Sequence, residues 1–297
     1  GQPRTAGSPQ PDELYELLVA RDDDGRAVGA ARLELPTRDN LHFCAVDVQV
    51  LPDARRRGFG TALLAAAIDR AQAAGRTTMV MRIDEPPAQE GRSPARAFAT
   101  RHGFARATAE VRRDLALPVD AARLDAVESE CRPHAAGYLL RTWQDRCPDD
   151  LVDDRAALGA RMSTDAPLEE LDWHAERWDA ERVRRNEALV ARQGRSFLAA
   201  GAVDQSSGRL VAFTELGVPL ARPERVYQWD TLVLPEHRGH RLGTLVKIGV
   251  LRLIPERVPQ ARLVSTWNAA VNVPMIAVNE RLGFRTNGSM SSWQRTL

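Results

Sequence analysis

The sequence predicts an α/β protein with mixed α+β sheets, built as two tandem units. Two observations carry that prediction. A strand–turn–helix stretch occurs twice, as Leu51–Leu64 (L-P-D-A-R-R-R-G-F-G-T-A-L-L) and as Leu234–Lys247 (L-P-E-H-R-G-H-R-L-G-T-L-V-K). Downstream of each copy, a helical stretch ends in Gly-Phe, at Phe104 and Phe284. Aligned on Pro52 and Pro235, Arg55 matches Arg238, Gly60 matches Gly243 and Thr61 matches Thr244. An internal repeat explains all of this at once.

Taken in order, residues 1–12 are rich in Pro, Gly and Ser and are expected to be a disordered lead. Leu14–Ala20 and Val28–Leu35 read as strands joined by the Asp22–Arg26 turn, with Asp and Gly where a hairpin wants them. Phe43–Leu51 is the third strand, with Val46, Val48 and Val50 alternating against Asp47 and Gln49. The first turn leads into a helix over Gly58–Ala74, stopped by Gly75. Thr77–Ile83 reads as a buried strand and Asp84–Ser93 as a loop, followed by a helix to His102 and a hairpin over Phe104–Leu117.

Pro118–Arg132 is expected to be a linker of helical character, with Asp120 as its N-cap. Gly137–Trp143 reads as a strand, and Pro148–Met162 and Leu168–Gln193 as helices. Ser196–Val203, Leu210–Val218 and Tyr227–Leu234 follow as strands. After the second turn and its apolar helix come strand Arg262–Thr266, an Asn-rich turn with a helix, and a final strand pair. The expected division is residues 13–117, a linker at 118–133, and residues 134–297.

A strand that ends in a Pro-led turn rich in Arg and Gly, then becomes a helix, suits an anion. Glycines let backbone approach the ligand, and the first helical N–H groups lack intrahelical partners. The positive end of the helix dipole adds to their pull. Neither copy is a P-loop, because no Gly-Lys-Ser/Thr follows, and neither has the G-x-G-x-x-G spacing.

The hexamers resemble the acetyl-CoA signature of the GNAT superfamily of N-acetyltransferases, Arg/Gln-x-x-Gly-x-Gly/Ala. Arg55-x-x-Gly58-x-Gly60 fits fully, whereas Arg238-x-x-Arg241-x-Gly243 has Arg where the first glycine belongs. The family's second landmark, Asn before a helix ending Leu-Tyr-Glu-x-Leu-Gly-Phe, is matched by Asn268, Asn272 and Ile276–Phe284, and more distantly by Pro94–Phe104. On this resemblance the first unit lacks the family's initial strand and first two helices, while the second has every element.

The resemblance implies acetyl transfer from acetyl-CoA to an amine. Coenzyme contacts would fall on Arg55, Arg56, Arg57, Gly58, Phe59, Gly60 and Thr61 in the first copy. In the second they would fall on Arg238, Gly239, His240, Arg241, Leu242, Gly243 and Thr244. Pantetheine would pair with the end of the strand before each turn, at Val48 and Val50 or at Thr231 and Val233; these four residues read equally well as plain core strand. Asn268 and Asn272 match positions that bond the coenzyme, and both also suit helix N-caps.

Asp230 and Glu215 are the candidate bases, against a reading of both as solvated strand faces. Asn279 and Ala99 stand where many relatives carry a catalytic Tyr, and neither donates a proton as a phenol does. Tyr227 is a possible substitute phenol, or simply a core residue. Trp173, Trp178, Glu169, Glu170, Asp172 and Glu176 are expected on helices lining an acceptor cleft suited to a cationic, small-molecule amine. The alternatives are a protein N-acetyltransferase and a non-catalytic, regulatory coenzyme-binding protein.

Composition agrees with a globular chain: 297 residues, 43% hydrophobic and 27% charged. A net charge of +1 gives no bulk attraction to nucleic acid or membrane. Lys247 is the sole lysine among 41 basic residues. Cys44, Cys131 and Cys147 cannot all pair and lack metal spacing, which points to free thiols, a cytoplasmic location and no metal.

Overall fold

The computed structural model describes residues 12–165 and 169–297. In chain order they form β1 (Glu13–Arg21), β2 (Ala27–Pro36), β3 (Phe43–Val50), α1 (Phe59–Ala73), β4 (Thr78–Glu85), α2 (Pro94–Arg101) and β5 (Ala105–Ala116). Next come α3 (Ala121–Cys131), β6 (Tyr138–Gln144), α4 (Val152–Asp165), α5 (Ala180–Arg192), β7 (Arg195–Asp204), β8 (Leu210–Pro219) and β9 (Arg225–Val233). The chain ends with α6 (Leu242–Arg257), β10 (Leu263–Ala269), α7 (Val273–Leu282) and β11 (Arg285–Thr296).

Two compact units emerge, and both are discontinuous in sequence. Among described residues the first comprises 12–109, 169–176 and 289–297. Its sheet runs β1-β2-β3-β4-β11, antiparallel except for the parallel β3–β4 pair. The last strand of the chain thus completes the first unit, from Ser289 opposite Glu85 to Thr296 opposite Thr78. Helix α1 packs Leu63, Leu64, Ala67 and Ala71 against Leu33, Val46, Met79 and Ile83, and Trp293 of β11 belongs to the same core.

The second unit comprises residues 110–165 and 177–288. Its sheet runs β5-β10-β9-β8-β7-β6, with β9–β10 the parallel pair. Helix α6 is apolar over most of its length and buries Leu245, Val246, Ile248 and Leu251 against alternate residues Leu198, Ala200 and Ala202 of β7. Period-two alternation sends the other residues of these strands to the opposite face. There Val203, Leu210 and Phe213 pack with Leu151, Leu158 and Val183 of the α4–α5 layer.

Three expectations are corrected. The stretches expected to be hairpins, Phe104–Leu117 and the final pair, are single long strands, β5 and β11. The first contains no Gly, Pro or Asn to turn on, and the Asn287-Gly288 step is absorbed within β11, Gly288 holding a φ of 131°. The stretch expected to be a helical linker does form a helix: α3 is capped as expected by Asp120, which accepts from Ala122 N at 3.0 Å, and it packs Leu124, Val127 and Cys131 into the core.

The expected helix over Leu168–Gln193 is realised only as α5; residue 168 lies outside the described residues. Residues 169–176 are non-helical and belong to the first unit, so Glu169, Glu170, Asp172, Trp173 and Glu176 line no helical cleft of the second. Polar anchoring overrides helix propensity there. Asp172 N donates to Gln294 Oε1 (2.8 Å), His174 N donates to Asn40 Oδ1 (2.7 Å), and Trp173 meets Phe43 edge to face.

Because β11 supplies Trp293 to the core of the first unit, Trp293→Ala is expected to destabilise that unit by about 3 kcal/mol. Amide exchange should show faster opening in β4 than in β9. Equal loss of protection in the two strands would contradict the division.

Candidate functional site

The two turns share one geometry. Each begins with a short 3-10 turn, Pro52–Ala54 or Pro235–His237, behind a leucine in extended conformation. Each then carries an Arg that ties the turn to the strand behind it: Arg55 Nε donates to Val50 O at 3.2 Å and Arg238 Nε to Val233 O at 3.3 Å. The first residue of the hexamer is therefore a strut. Arg238 is further held by Asp165, its Nη2 lying 3.2 Å from Oδ2.

Two positions in each turn are left-handed. In the first copy they are Arg56 (φ 63°) and Gly58 (φ 91°), and in the second Gly239 (φ 87°) and Arg241 (φ 58°). The departure at Arg241 is thus compensated by a glycine two residues earlier, so each copy holds one Gly and one strained Arg. The residue at Gly58 and at Arg241 is the N-cap of the helix, and neither α1 nor α6 has a side chain accepting from its first turn. By contrast, Ser93, Asp120, Asp179 and Asn272 cap α2, α3, α5 and α7. The first amides of α1 and α6 are left for an external acceptor.

The strands before the turns splay. The β9–β10 pairing stops at Tyr227 opposite Ser265, although β9 continues to Val233. Likewise β3–β4 pairing stops at Val46 opposite Met81, although β3 continues to Val50. The half-buried Val48 and Val50, and Thr231 and Val233, lie on these ends, which pair on one side only, with β2 and β8. A β-carbon on Gly243 would meet only Val233, at 3.6 Å, whereas one on Gly60 would press on Phe98 at 3.3 Å.

Beyond this common frame the units diverge. In the second, His237 and His240 brace the turn from outside: Tyr138 OH and His237 Nδ1 are 2.9 Å apart, and His240 Nδ1 lies 2.9 Å from His134 O. Asn272 caps α7 by accepting from Met275 N at 3.3 Å. Asn268, near the end of β10, has a different bond. Its Oδ1 accepts from Asn279 Nδ2 at 2.6 Å, and Asn279 Oδ1 accepts from Lys247 Nζ at 2.8 Å. This chain occupies the Asn268 carbonyl oxygen and orients its Nδ2 as the remaining donor.

Sequence reasoning did not place Lys247 in the site. It sits inside an apolar helix, fully buried, and burial pulls its pKa down from the ordinary lysine range to about 7. The only available signal was its being the sole lysine. Asn279 is itself fully buried, so it offers no proton to a cleft.

Glu215 is gripped by buried Arg155 through two bonds, Nε–Oε1 at 3.1 Å and Nη2–Oε2 at 2.9 Å, and Arg155 lies over the Phe213 ring. Asp230 is half-buried in a bulge of β9, where the register with β8 shifts between Thr214 and Leu216. Tyr227 stacks on Trp267 at the point where the strands part. A small cleft between α4, α5 and the sheet is lined by Trp143, Trp178, Phe197, Arg155 and Glu215.

In the first unit the loop after β4 folds onto the protein itself. Glu85 is buried and accepts from Gly91 N (3.2 Å), Ser93 N (3.4 Å) and Arg96 Nη2 (3.0 Å). Burial opposes ionisation, yet these bonds outweigh it and hold Glu85 below the usual carboxylate range. Ala99, at the Tyr position, is buried as well.

These features define an acyltransferase of the GNAT fold, and comparison with known proteins agrees. Residues 13–106 match the acetyltransferase (GNAT) domain and residues 164–284 the acetyltransferase (GNAT) family, so the chain belongs to the GNAT acetyltransferases. It is 30% identical over 296 residues to a mycothiol acetyltransferase of Acidothermus cellulolyticus, covering 94% of this chain and 79% of that protein. It is also similar to a tandem GNAT protein from the clavulanic acid biosynthesis pathway, solved without AcCoA, with a TM-score of 0.77, 32% identity, and 97% and 84% of the two chains covered. A GCN5-related N-acetyltransferase from Sphaerobacter thermophilus shares the fold, with a TM-score of 0.59 at 13% identity over 96% and 80% of the chains. No helix among the described residues is long and apolar enough to cross a membrane.

Two outcomes follow from the site. Arg241→Gly should relieve a left-handed L-residue and raise stability by about 1 kcal/mol in urea unfolding. Lys247 has a folded-state pKa below its unfolded value, so its contribution to stability rises with pH above about 7 and is lost as pH falls. Measured against Lys247→Met, wild type should gain on the order of 2 kcal/mol between pH 7 and 9. A difference that does not change with pH would show the amine to be solvated.

Proposed function

We propose that this protein is an acetyl-CoA-dependent N-acetyltransferase acting on the primary amine of a small molecule, with its chemistry in the second unit. The observation that carries the reading is the parting of β9 from β10 directly before the uncapped start of α6. Acetyl-CoA supplies the acetyl group as a thioester. The bare amides from Gly239 to Gly243 suit its diphosphate, and the free β9 edge at Thr231 and Val233 suits the amides of its pantetheine arm. Asn268 Nδ2, oriented through Asn279 and Lys247, adds a fixed donor beside that edge. In this reading a backbone N–H of the same edge would meet the negative charge developing on the acyl oxygen.

Asp230 is the base in this reading, taking the ammonium proton through water, and Glu215 serves to hold Arg155 in the wall of the cleft. A coenzyme thiolate is a fair leaving group, so a positioned phenol accelerates the reaction without being obligatory. The first unit keeps its turn but closes its β4 loop on Glu85, which supports a scaffolding or weak coenzyme-binding role. The small-molecule acceptor is supported by the relative that is a mycothiol acetyltransferase.

A second reading, a regulatory coenzyme-binding protein, draws on the burial of Asn279 and Ala99 where an acid would stand. Thiol release from acetyl-CoA with a panel of amines separates the two. Turnover with at least one small amine is expected, and tight coenzyme binding without any turnover would favour the second reading. Gly243→Val should lower kcat/KM by about tenfold or more relative to Gly60→Val. Equal losses would remove the proposed asymmetry. Asp230→Asn should lower kcat by about 100-fold with little change in KM for acetyl-CoA.

A further inference from the structure

Away from both turns, the first unit gathers three side chains of metal-binding type. His42, just before β3, meets Asp172 and His174 of the 169–176 segment. One ligand atom from each lies within 4.8 Å of the other two. His42 Nε2 is 3.2 Å from Asp172 Oδ2, His174 Nε2 is 3.4 Å from Asp172 Oδ1, and the two imidazoles stack with centroids 4.3 Å apart. We propose that His42, Asp172 and His174 bind a divalent transition-metal cation, best fitted by Zn2+, which clasps this segment to the first unit. This site is independent of the coenzyme reading.

Three arguments support it. Two imidazoles and one carboxylate are a donor set that zinc accepts, with a fourth position left for water. In a tetrahedral site with bonds of about 2.0–2.1 Å, ligand atoms stand about 3.3–3.4 Å apart, and each imidazole nitrogen lies at a similar distance from one Asp172 oxygen, His42 from Oδ2 and His174 from Oδ1. The surroundings anchor the carboxylate and the main chain beforehand, and the stacked imidazoles turn to aim their nitrogens at the cation. Thr78 Oγ1 donates to Asp172 Oδ2 at 2.8 Å, the outer-shell bond that orients a metal-binding carboxylate. The main chain is fixed by Gln294 and by Asn40, whose Nδ2 also reaches His174 O at 3.3 Å.

A purely protein network is the competing explanation, because His42 Nε2 also lies 3.1 Å from Asp172 O and satisfies a bond there as an N–H donor. Exposure separates the explanations in part. The His174 side chain is 68% exposed, so it gains little from bonding Asp172 in water but is open to a cation from solvent. The sequence gives no hint of the site, because His42 and Asp172 are 130 residues apart.

The test uses the full chain, stripped with a chelator and titrated with Zn2+ by calorimetry and with Co2+ by visible absorption. One Zn2+ per chain is expected, with Co2+ giving bands of tetrahedral intensity. His42→Ala and His174→Ala should each weaken Zn2+ binding by about tenfold or more, and Asp172→Asn should do the same. His237→Ala combined with His240→Ala should leave it unchanged. Zn2+ should raise the Tm of wild type but not that of His174→Ala, whose exposed side chain makes misfolding of the variant an unlikely confusion. No saturable uptake below about 100 µM, or uptake that survives loss of both His42 and His174, overturns the proposal.

Discussion

The structure depends on backbone amides that have been left without partners. The N-caps of helices α1 and α6 supply no side-chain acceptor, while those of α2, α3, α5 and α7 are Ser, Asp or Asn that do. An uncapped start forgoes about 1 kcal/mol of helix stability. Left-handed N-caps add to that cost, above all where Arg241 takes the place of glycine. The protein therefore carries the same local weakness twice. An anion at the turn would supply the missing acceptor, which gives the weakness a physical rationale.

The turns were legible because their requirements are local. Proline, a strut arginine and residues able to enter the left-handed region occur in a fixed order, and the strut bonds of Arg55 and Arg238 agree within 0.1 Å. Strand and helix positions were also legible, since alternation in β3 and the apolar run of α6 fix their types. Strand partners were not. Phe104–Leu117 lacks a turn residue and Asn287-Gly288 offers one that is not used, but neither stretch names its partners, which are the distant edges of β10 and β4. The 169–176 segment was misread for the same reason. Its carboxylates suit a solvated helix face, and only Asn40, His42, Thr78 and Gln294 reveal that the segment is anchored elsewhere.

The exchange of strands has an energetic consequence. Each unit draws part of its sheet from sequence beyond its own repeat: β11 completes the first, and residues 110–116 of β5 lie in the second. Neither repeat, cut at its sequence boundary, retains all its strands. A long edge left unpaired exposes rows of N–H and C=O groups and favours aggregation. The tandem arrangement thus couples folding of the units even though their cores, one around Leu33 and Met79 and one around Val246 and Leu216, are separate clusters.

The position of the family's tyrosine is best understood through Lys247. A Tyr at residue 279 would need room that the buried Asn279 does not occupy, and overpacking a filled core is costly. It would also strip Lys247 of its acceptor, leaving a buried amine 5.7 Å from the centre of the Phe284 ring. Lysine, Asn279 and Asn268 are therefore a set: the amine is tolerated because the amide accepts from it, and the amide's orientation then fixes that of Asn268. On the proposed reading, α7 has exchanged a proton donor for a device that aims a hydrogen-bond donor. Such a site relies on the departing thiolate's own stability and on the carboxylate of Asp230, with the burden of catalysis shifted toward positioning.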